Sequence, residues 1–282
     1  MVEVIRAKTA GFCMGVDLAL NKLDSLIEKD EDRKIYILGP IIHNPQVLED
    51  YEKQGVITAT TPEEVPEGAY VVIRAHGIPK AVEEDLRQRG VNVIDATCPK
   101  VKKAQLLIQR NTEDDRVLLL YGEDSHPEVK GLLSYGPEGP HLFDSLEELQ
   151  DIELDPNRKY CLAAQTTQDR AVYADCIQYL ESKGIEFVTL NTICDATRQR
   201  QDEAITLSGE VDHMIVVGGR ISGNTRRLVQ VVETAGTKCT HVEIADELPL
   251  EDLKDIDKIG LTAGASTPKR LVDGIQKILE DL

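Results

Sequence analysis

The chain has 282 residues and carries 32 Lys and Arg against 50 Asp and Glu, a formal net charge of −18, which argues against the basic face that holds nucleic acid. With 41% hydrophobic and 29% charged residues, its composition is that of a globular protein able to bury real cores rather than of a disordered chain. The start MVEVIRAKTA has no apolar signal-peptide stretch and no aliphatic run approaches the ~18 residues of a membrane helix, so a soluble, cytoplasmic protein with no membrane partner is expected.

In chain order, TAGFC reads as a turn that hands over at Cys13 to the helical stretch MGVDLALNKLDSLIE. The apolar strands IYILGPIIHNP and YVVIRAHG follow, opening into polar residues at His43 and His76, and then comes the helical AVEEDLRQRG. DATCP repeats the hand-over at Cys98, into KVKKAQLLIQR. RVLLLYGEDSHPE and YCLAAQTTQ are again apolar strands, opening at His126 and Thr166, and DRAVYADCIQYLESKG is helical. A third hand-over, TIC into DATRQRQDEAITL, falls at Cys194. HMIVVGGRISGN opens into Ser222, Gly223 and Asn224, KIGLTAGAST opens into Ser266, and RRLVQVVETAG is helical between them.

These segments repeat. Cys13, Cys98 and Cys194 lie 85 and 96 residues apart. His43, His126 and Ser222 follow them by 30, 28 and 28 residues, and His76, Thr166 and Ser266 follow that second set by 33, 40 and 44. Three copies of one α/β module are expected: residues 1–97 with the Cys13 segment, 98–193, and 194–282 with a C-terminal helix. The strand that feeds each cysteine fits either neighbouring module. Alternating strands and helices imply parallel sheets, whose functional residues collect beyond the carboxyl ends of the strands. Packing with pseudo-three-fold symmetry would turn those ends toward one central cavity.

Six cysteines without a CxxC pair are neither a disulfide framework nor a common zinc-finger spacing. A lone cysteine is usually a small buried hydrophobe, and Cys161, Cys176 and Cys239, which do not correspond between copies, are read that way. The three at helix starts correspond, and the helix dipole favours their thiolates. Three thiolates leave one iron of a cubane cluster open to a ligand; a zinc with water as its fourth ligand remains an alternative. The imidazole, hydroxyl and amide groups of His43, His76, His126, Thr166, Ser222, Asn224 and Ser266 suit an anion such as a diphosphate, although each alone reads as a turn or cap residue. Glu128, the only carboxylate in the second-set motif Ser125-His126-Pro127-Glu128, is the natural proton donor. A nearby anionic ligand would raise its pKa, and Thr166 or Thr167 would pass the proton onward.

The motifs GFCMGV, IIHN, AHG, DATCP, HPEV, QTT, the IC of NTICDAT, SGN and TAGAS run through nearly the whole chain. Together they make it resemble the 4-hydroxy-3-methylbut-2-enyl diphosphate reductase family. The resemblance implies a three-lobed α/β fold around a 4Fe-4S cluster ligated by Cys13, Cys98 and Cys194, with the open iron taking the substrate's hydroxyl oxygen. It also implies an allylic diphosphate held by His43, His76, His126, Ser222, Asn224 and Ser266, a proton from Glu128, and Thr166 at the hydroxyl end. With Glu128 and Thr166, His126 is the third residue for which the resemblance implies a catalytic role. A ferredoxin or flavodoxin is the implied electron donor. Gly223 stands where many relatives carry a second serine, so its diphosphate contact falls to the backbone N–H, and Ser125 replaces a common glycine. An iron-sulfur hydro-lyase and a non-catalytic sensor of a small phosphate ligand are the alternatives.

Overall fold

The computed structural model describes residues 2–29, 34–113 and 115–282. Its strands are β1 (Glu3–Arg6), β2 (Ile35–Leu38), β3 (Ile57–Ala59), β4 (Tyr70–Ile73), β5 (Asn92–Asp95) and β6 (Val117–Tyr121), then β7 (His141–Phe143), β8 (Tyr160–Ala164), β9 (Phe187–Thr189), β10 (His213–Val217), β11 (Lys238–Val242) and β12 (Lys258–Ala263). Among the described residues they form three four-stranded sheets, ordered β3-β2-β4-β5, β7-β6-β8-β9 and β1-β12-β10-β11, and every pairing is parallel. The expected three-module parallel α/β architecture is therefore present.

The second and third sheets have helices on both faces, which is why their central strands read as unbroken apolar runs. All five residues of β6 and all five of β8 are buried. Alternate residues serve opposite layers: Leu119 and Leu162 pack with Tyr173, Cys176 and Leu180, while Leu118 and Cys161 pack with Ala104, Ile108 and Leu132. In the third sheet, Ile215 and Leu261 pack with Val272, Ile275 and Leu279, and Met214 and Val216 with Ala204, Leu228 and Val232. Each such aliphatic burial contributes ~1.5–3 kcal/mol before the entropy of ordering is counted. No helix among the described residues is long and apolar enough to cross a membrane.

The strand feeding each cysteine belongs to the preceding sheet: β5 pairs with β4 ahead of Cys98, and β9 with β8 ahead of Cys194. For Cys13 the preceding sheet is the last one, because β1 pairs with β12, Glu3 opposite Lys258. The first sheet thus starts at residue 35, which differs from a first module beginning at residue 1; backbone hydrogen bonding, not chain order, places the N-terminal strand. The chain divides into two compact units. One contains Met1–Asp17, Ile42–Asp50 and Asp195–Leu282 and holds the third sheet; the other contains Leu18–Ile41 and Tyr51–Cys194 and holds the first two.

Candidate functional site

Strand-end hydrogen bonds fix the register between the copies. The N–H groups of Gly39, Gly122 and Gly218 donate to the last residues of the neighbouring strands, Ala59, Phe143 and Val242, at 2.8, 2.8 and 2.9 Å. These glycines are equivalent, and four residues beyond each lie His43, His126 and Ser222. Likewise the N–H groups of Cys13, Cys98 and Cys194 donate to the carbonyls of Ala265, Ala75 and Thr166 at 3.1, 2.9 and 2.9 Å. The next residues are Ser266, His76 and Thr167. Thr167, rather than Thr166, therefore stands where His76 and Ser266 stand, and this residue of the third set was misplaced by one position.

The three cysteines share more than a hydrogen bond. Each immediately precedes a 14-residue helix, Met14–Ile27, Pro99–Thr112 or Asp195–Ser208, and each is half-buried. Cys161 and Cys176 are buried within core layers, and burial pushes both thiols up to about 12. Cys239, on β11, is also pushed up to about 12 by burial. A thiol so raised is a poor source of thiolate.

In the unit holding the first two sheets, Glu128 is 1% exposed at the start of the helix Pro127–Leu133. Burial pushes its carboxyl up to about 7, against two hydrogen bonds that favour the ionised form: Thr166 N–H to Oε1 at 2.6 Å and Thr166 hydroxyl to Oε2 at 2.9 Å. Thr166 is itself buried, and its carbonyl receives the N–H of Cys194. The ring of His126 caps the same helix, Nδ1 accepting from the Glu128 N–H at 3.1 Å. That bond leaves the ring proton of neutral His126 on Nε2, as a donor. His76 meets His126 edge to face, with ring centroids 5.4 Å apart. Gln165, which the sequence did not single out, donates from Nε2 to the Thr167 hydroxyl at 2.9 Å and accepts the Glu123 N–H at 3.1 Å. Only the shared QTT motif hinted at it.

In the other unit, His43, Ser222, Asn224 and Ser266 are all buried. Ser222 caps the helix Gly223–Thr234, its hydroxyl accepting from the Thr225 N–H, and the Ser266 hydroxyl donates to the His43 carbonyl at 3.4 Å. The Asn224 amide nitrogen is buried with no hydrogen-bond partner among the described residues. A buried donor without an acceptor costs ~1–3 kcal/mol, and at a helix N-terminus the acceptor that best relieves it is an anion. Close packing brings this helix start to the strand ends: a Cβ on Gly264 would meet the Thr225 hydroxyl at 2.1 Å, and one on Gly218 at 2.8 Å.

A family model described as LytB protein matches residues 4–280. The 4-hydroxy-3-methylbut-2-enyl diphosphate reductase of Oleidesulfovibrio alaskensis is 55% identical over 282 residues, covering 100% of both chains. The reductase of Solidesulfovibrio magneticus is 53% identical over 284 residues, covering 99% of each. Among solved structures, the E-1-hydroxy-2-methyl-but-2-enyl-4-diphosphate reductase of Plasmodium falciparum superimposes with a TM-score of 0.93 at 28% identity, covering 98% of this chain and 87% of that one. A second structure, of (E)-4-hydroxy-3-methyl-but-2-enyl diphosphate reductase, the terminal enzyme of the non-mevalonate pathway, gives 0.71 at 38% identity with both chains fully covered. Fold, strand-end chemistry and relatives together define an oxidoreductase of isoprenoid precursor synthesis. The chain belongs to the LytB protein family.

Proposed function

We propose that the chain catalyses the two-electron reductive dehydroxylation of (E)-4-hydroxy-3-methylbut-2-enyl diphosphate, giving isopentenyl and dimethylallyl diphosphates. The observation that carries this reading is Glu128, a buried carboxyl titrating at about 7 and held by a threonine whose carbonyl also anchors Cys194. A buried acid so poised suits the proton that a departing hydroxyl requires.

The residues present fit an iron-sulfur centre. Three soft thiol donors occupy one equivalent backbone position in each copy. Cys13, Cys98 and Cys194 would hold a 4Fe-4S cluster through three irons and leave the fourth without a protein ligand. When bound, the cluster supplies electrons and Lewis acidity toward the substrate hydroxyl.

The protein's own groups do the rest. His43, His76, His126, Ser222, Asn224, Ser266 and the backbone N–H of Gly223 hold the diphosphate, with helix N-termini adding their dipoles. The Nε2 proton of His126 and the amide of Asn224 are donors suited to phosphate oxygens. Protonated Glu128 keeps its bond from the Thr166 N–H and gives its proton to the leaving hydroxyl, while the Thr166 hydroxyl orients that end of the substrate. Two electrons and two protons enter for each water released. A reduced ferredoxin or flavodoxin in the cytoplasm delivers the electrons.

The test is anaerobic turnover of the allylic diphosphate with a reduced one-electron donor. Both product diphosphates, with two electrons consumed per turnover, are expected. Product formed without reductant consumption would point to a hydro-lyase, and ligand binding without turnover to a sensor; either outcome overturns the reading.

A further inference from the structure

The segment leading to Cys13 is the longest of the three that feed a cysteine. Cys13 stands seven positions beyond the end of β1, whereas Cys98 stands three beyond β5 and Cys194 five beyond β9. One helix, Asp195–Ser208, holds this long segment. Glu203 accepts from the N–H groups of Lys8 and Thr9 at 2.7 and 2.9 Å and from the Thr9 hydroxyl at 2.5 Å. One turn earlier, Arg200, only 4% exposed, donates from Nη2 to the Gly11 carbonyl. Gly11 has a φ of +116°, so the direction of that carbonyl depends on a turn that only glycine makes freely.

The other copies show which part of this grip is shared. Lys22, nine residues after Cys13, donates from Nζ to the Asp95 carbonyl at 2.6 Å, in the segment that feeds Cys98. Glu203 is nine residues after Cys194, so in both cases the helix behind one cysteine holds the segment ahead of the next. At the position of Arg200, six residues after the cysteine, the other two helices carry Ala19 and Ala104. At that helix position the guanidinium is found in this copy alone.

We propose that Arg200 and Glu203 form a charged positioning clamp on the Cys13 segment, and that Arg200 raises the reduction potential of the centre Cys13 helps to hold. This rests on the reading of Cys13 as a ligand. A fixed cation in a weakly polarisable interior favours the more negative, reduced state of a neighbouring redox centre, and a fixed anion disfavours it. Arginine keeps its charge in a protein interior, so the bias is permanent. Glu203 also stays ionised: burial alone would raise its carboxyl, but the bonds from Thr9 and Lys8 hold it below the ordinary range.

Potentiometric titration of the anaerobic holoenzyme followed by EPR reads the charge, and hydrogen exchange over residues 7–13 reads the clamp. Arg200→Gln is expected to retain the cluster while its reduced-to-oxidised ratio at the wild-type midpoint falls about tenfold, ~59 mV for one electron. Arg200→Lys keeps the charge and should recover most of that shift. Glu203→Gln removes the opposite charge from the same segment and should move the potential upward. Both glutamine variants should exchange faster over residues 7–13. A purely structural clamp would not produce shifts of opposite sign. Unchanged potentials in cluster-loaded variants, or shifts of the same sign, overturn the inference. Should Arg200→Gln fail to fold, the pair Arg200→Lys and Glu203→Gln decides: near-wild-type and upward potentials support it, and any fall or null result for Glu203→Gln overturns it. A cluster unaltered by Cys13→Ser would strike the ligand assignment instead, leaving the exchange result to report on the clamp.

Discussion

Glu128 and Thr166 are joined twice, the threonine N–H donating to Oε1 at 2.6 Å and its hydroxyl to Oε2 at 2.9 Å. Both bonds favour the carboxylate, yet burial outweighs them and the group titrates at about 7. Protonated, it still accepts the N–H bond at one oxygen while its own O–H turns toward the threonine hydroxyl or the substrate. An acid poised near neutrality both gives and recovers a proton.

Turnover is therefore expected to fall as pH rises through about 7, because the ionised Glu128 has no proton to give. Thr166→Val removes one bond to the ionised form and should move this limb to higher pH. Glu128→Gln should keep the cluster and lose ~10²–10⁴ in kcat. A kcat profile flat through that region in the wild type would remove Glu128 as the donor.

The same shift has a stability consequence of definite sign. The carboxyl is raised from 4.5 to about 7 in the folded state, so the native protein binds more protons than the unfolded chain between those values. This contribution to stability is lost as pH rises across that interval and stays lost above it. Glu128→Gln, neutral throughout, should show a shallower decline in urea midpoint over the interval and gain on the wild type above it. Parallel pH dependences would contradict the burial-driven shift.

Serine substitution separates the two classes of cysteine. Cys13→Ser, Cys98→Ser and Cys194→Ser should each abolish the iron-sulfur absorbance, whereas Cys176→Ser, altering a thiol buried beside Tyr173 and Leu180, should leave it intact. Equal behaviour of Cys98→Ser and Cys176→Ser would break the argument from repeat position.

Asn224 presents a buried amide donor with no partner among the described residues. Asn224→Ala is expected to raise KM for the diphosphate ~10–100-fold, the loss of a hydrogen bond to a charged group, with a smaller effect on kcat. Thr167→Val should shift KM in the same direction as Ser266→Ala if the two hydroxyls are equivalent. Steady-state kinetics distinguishes them; a Thr167→Val enzyme with unaltered KM would show that shared backbone register does not extend to shared function.

Helix packing is tested at Gly264, where an added Cβ would meet the Thr225 hydroxyl at 2.1 Å. Gly264→Ala should destabilise the protein by ~1–3 kcal/mol through overpacking. Adding Thr225→Ala should restore part of that loss, as read from denaturant midpoints.

The repeat was legible because parallel strands covered on both faces must be apolar throughout, as in VLLLY and YCLAA, with polar residues beginning only where they end. The pairing of β1 with β12 was not, since it joins Glu3 to Lys258 and no local pattern specifies so distant a partner. Thr166 and Thr167 are identical neighbours, and a slip of one residue reverses the side-chain direction, so only the Cys194 hydrogen bond settles which is which. Glu128 was found for its chemistry, and its raised pKa was expected from an anionic ligand; in the structure burial produces it. Arg200 and Glu203 lie in a stretch dense in charged residues, where nothing local shows that one guanidinium is buried.

Three cysteines, one from each copy, are proposed to hold an iron-sulfur centre that keeps one iron for the substrate. Anaerobic purification with iron and sulfide analysis, followed by Mössbauer spectroscopy with and without (E)-4-hydroxy-3-methylbut-2-enyl diphosphate, tests it most directly. The expected result is a 4Fe-4S cluster in which one iron site is distinct and changes when substrate is added. Zinc without sulfide, or a cluster whose irons are indifferent to substrate, would contradict it.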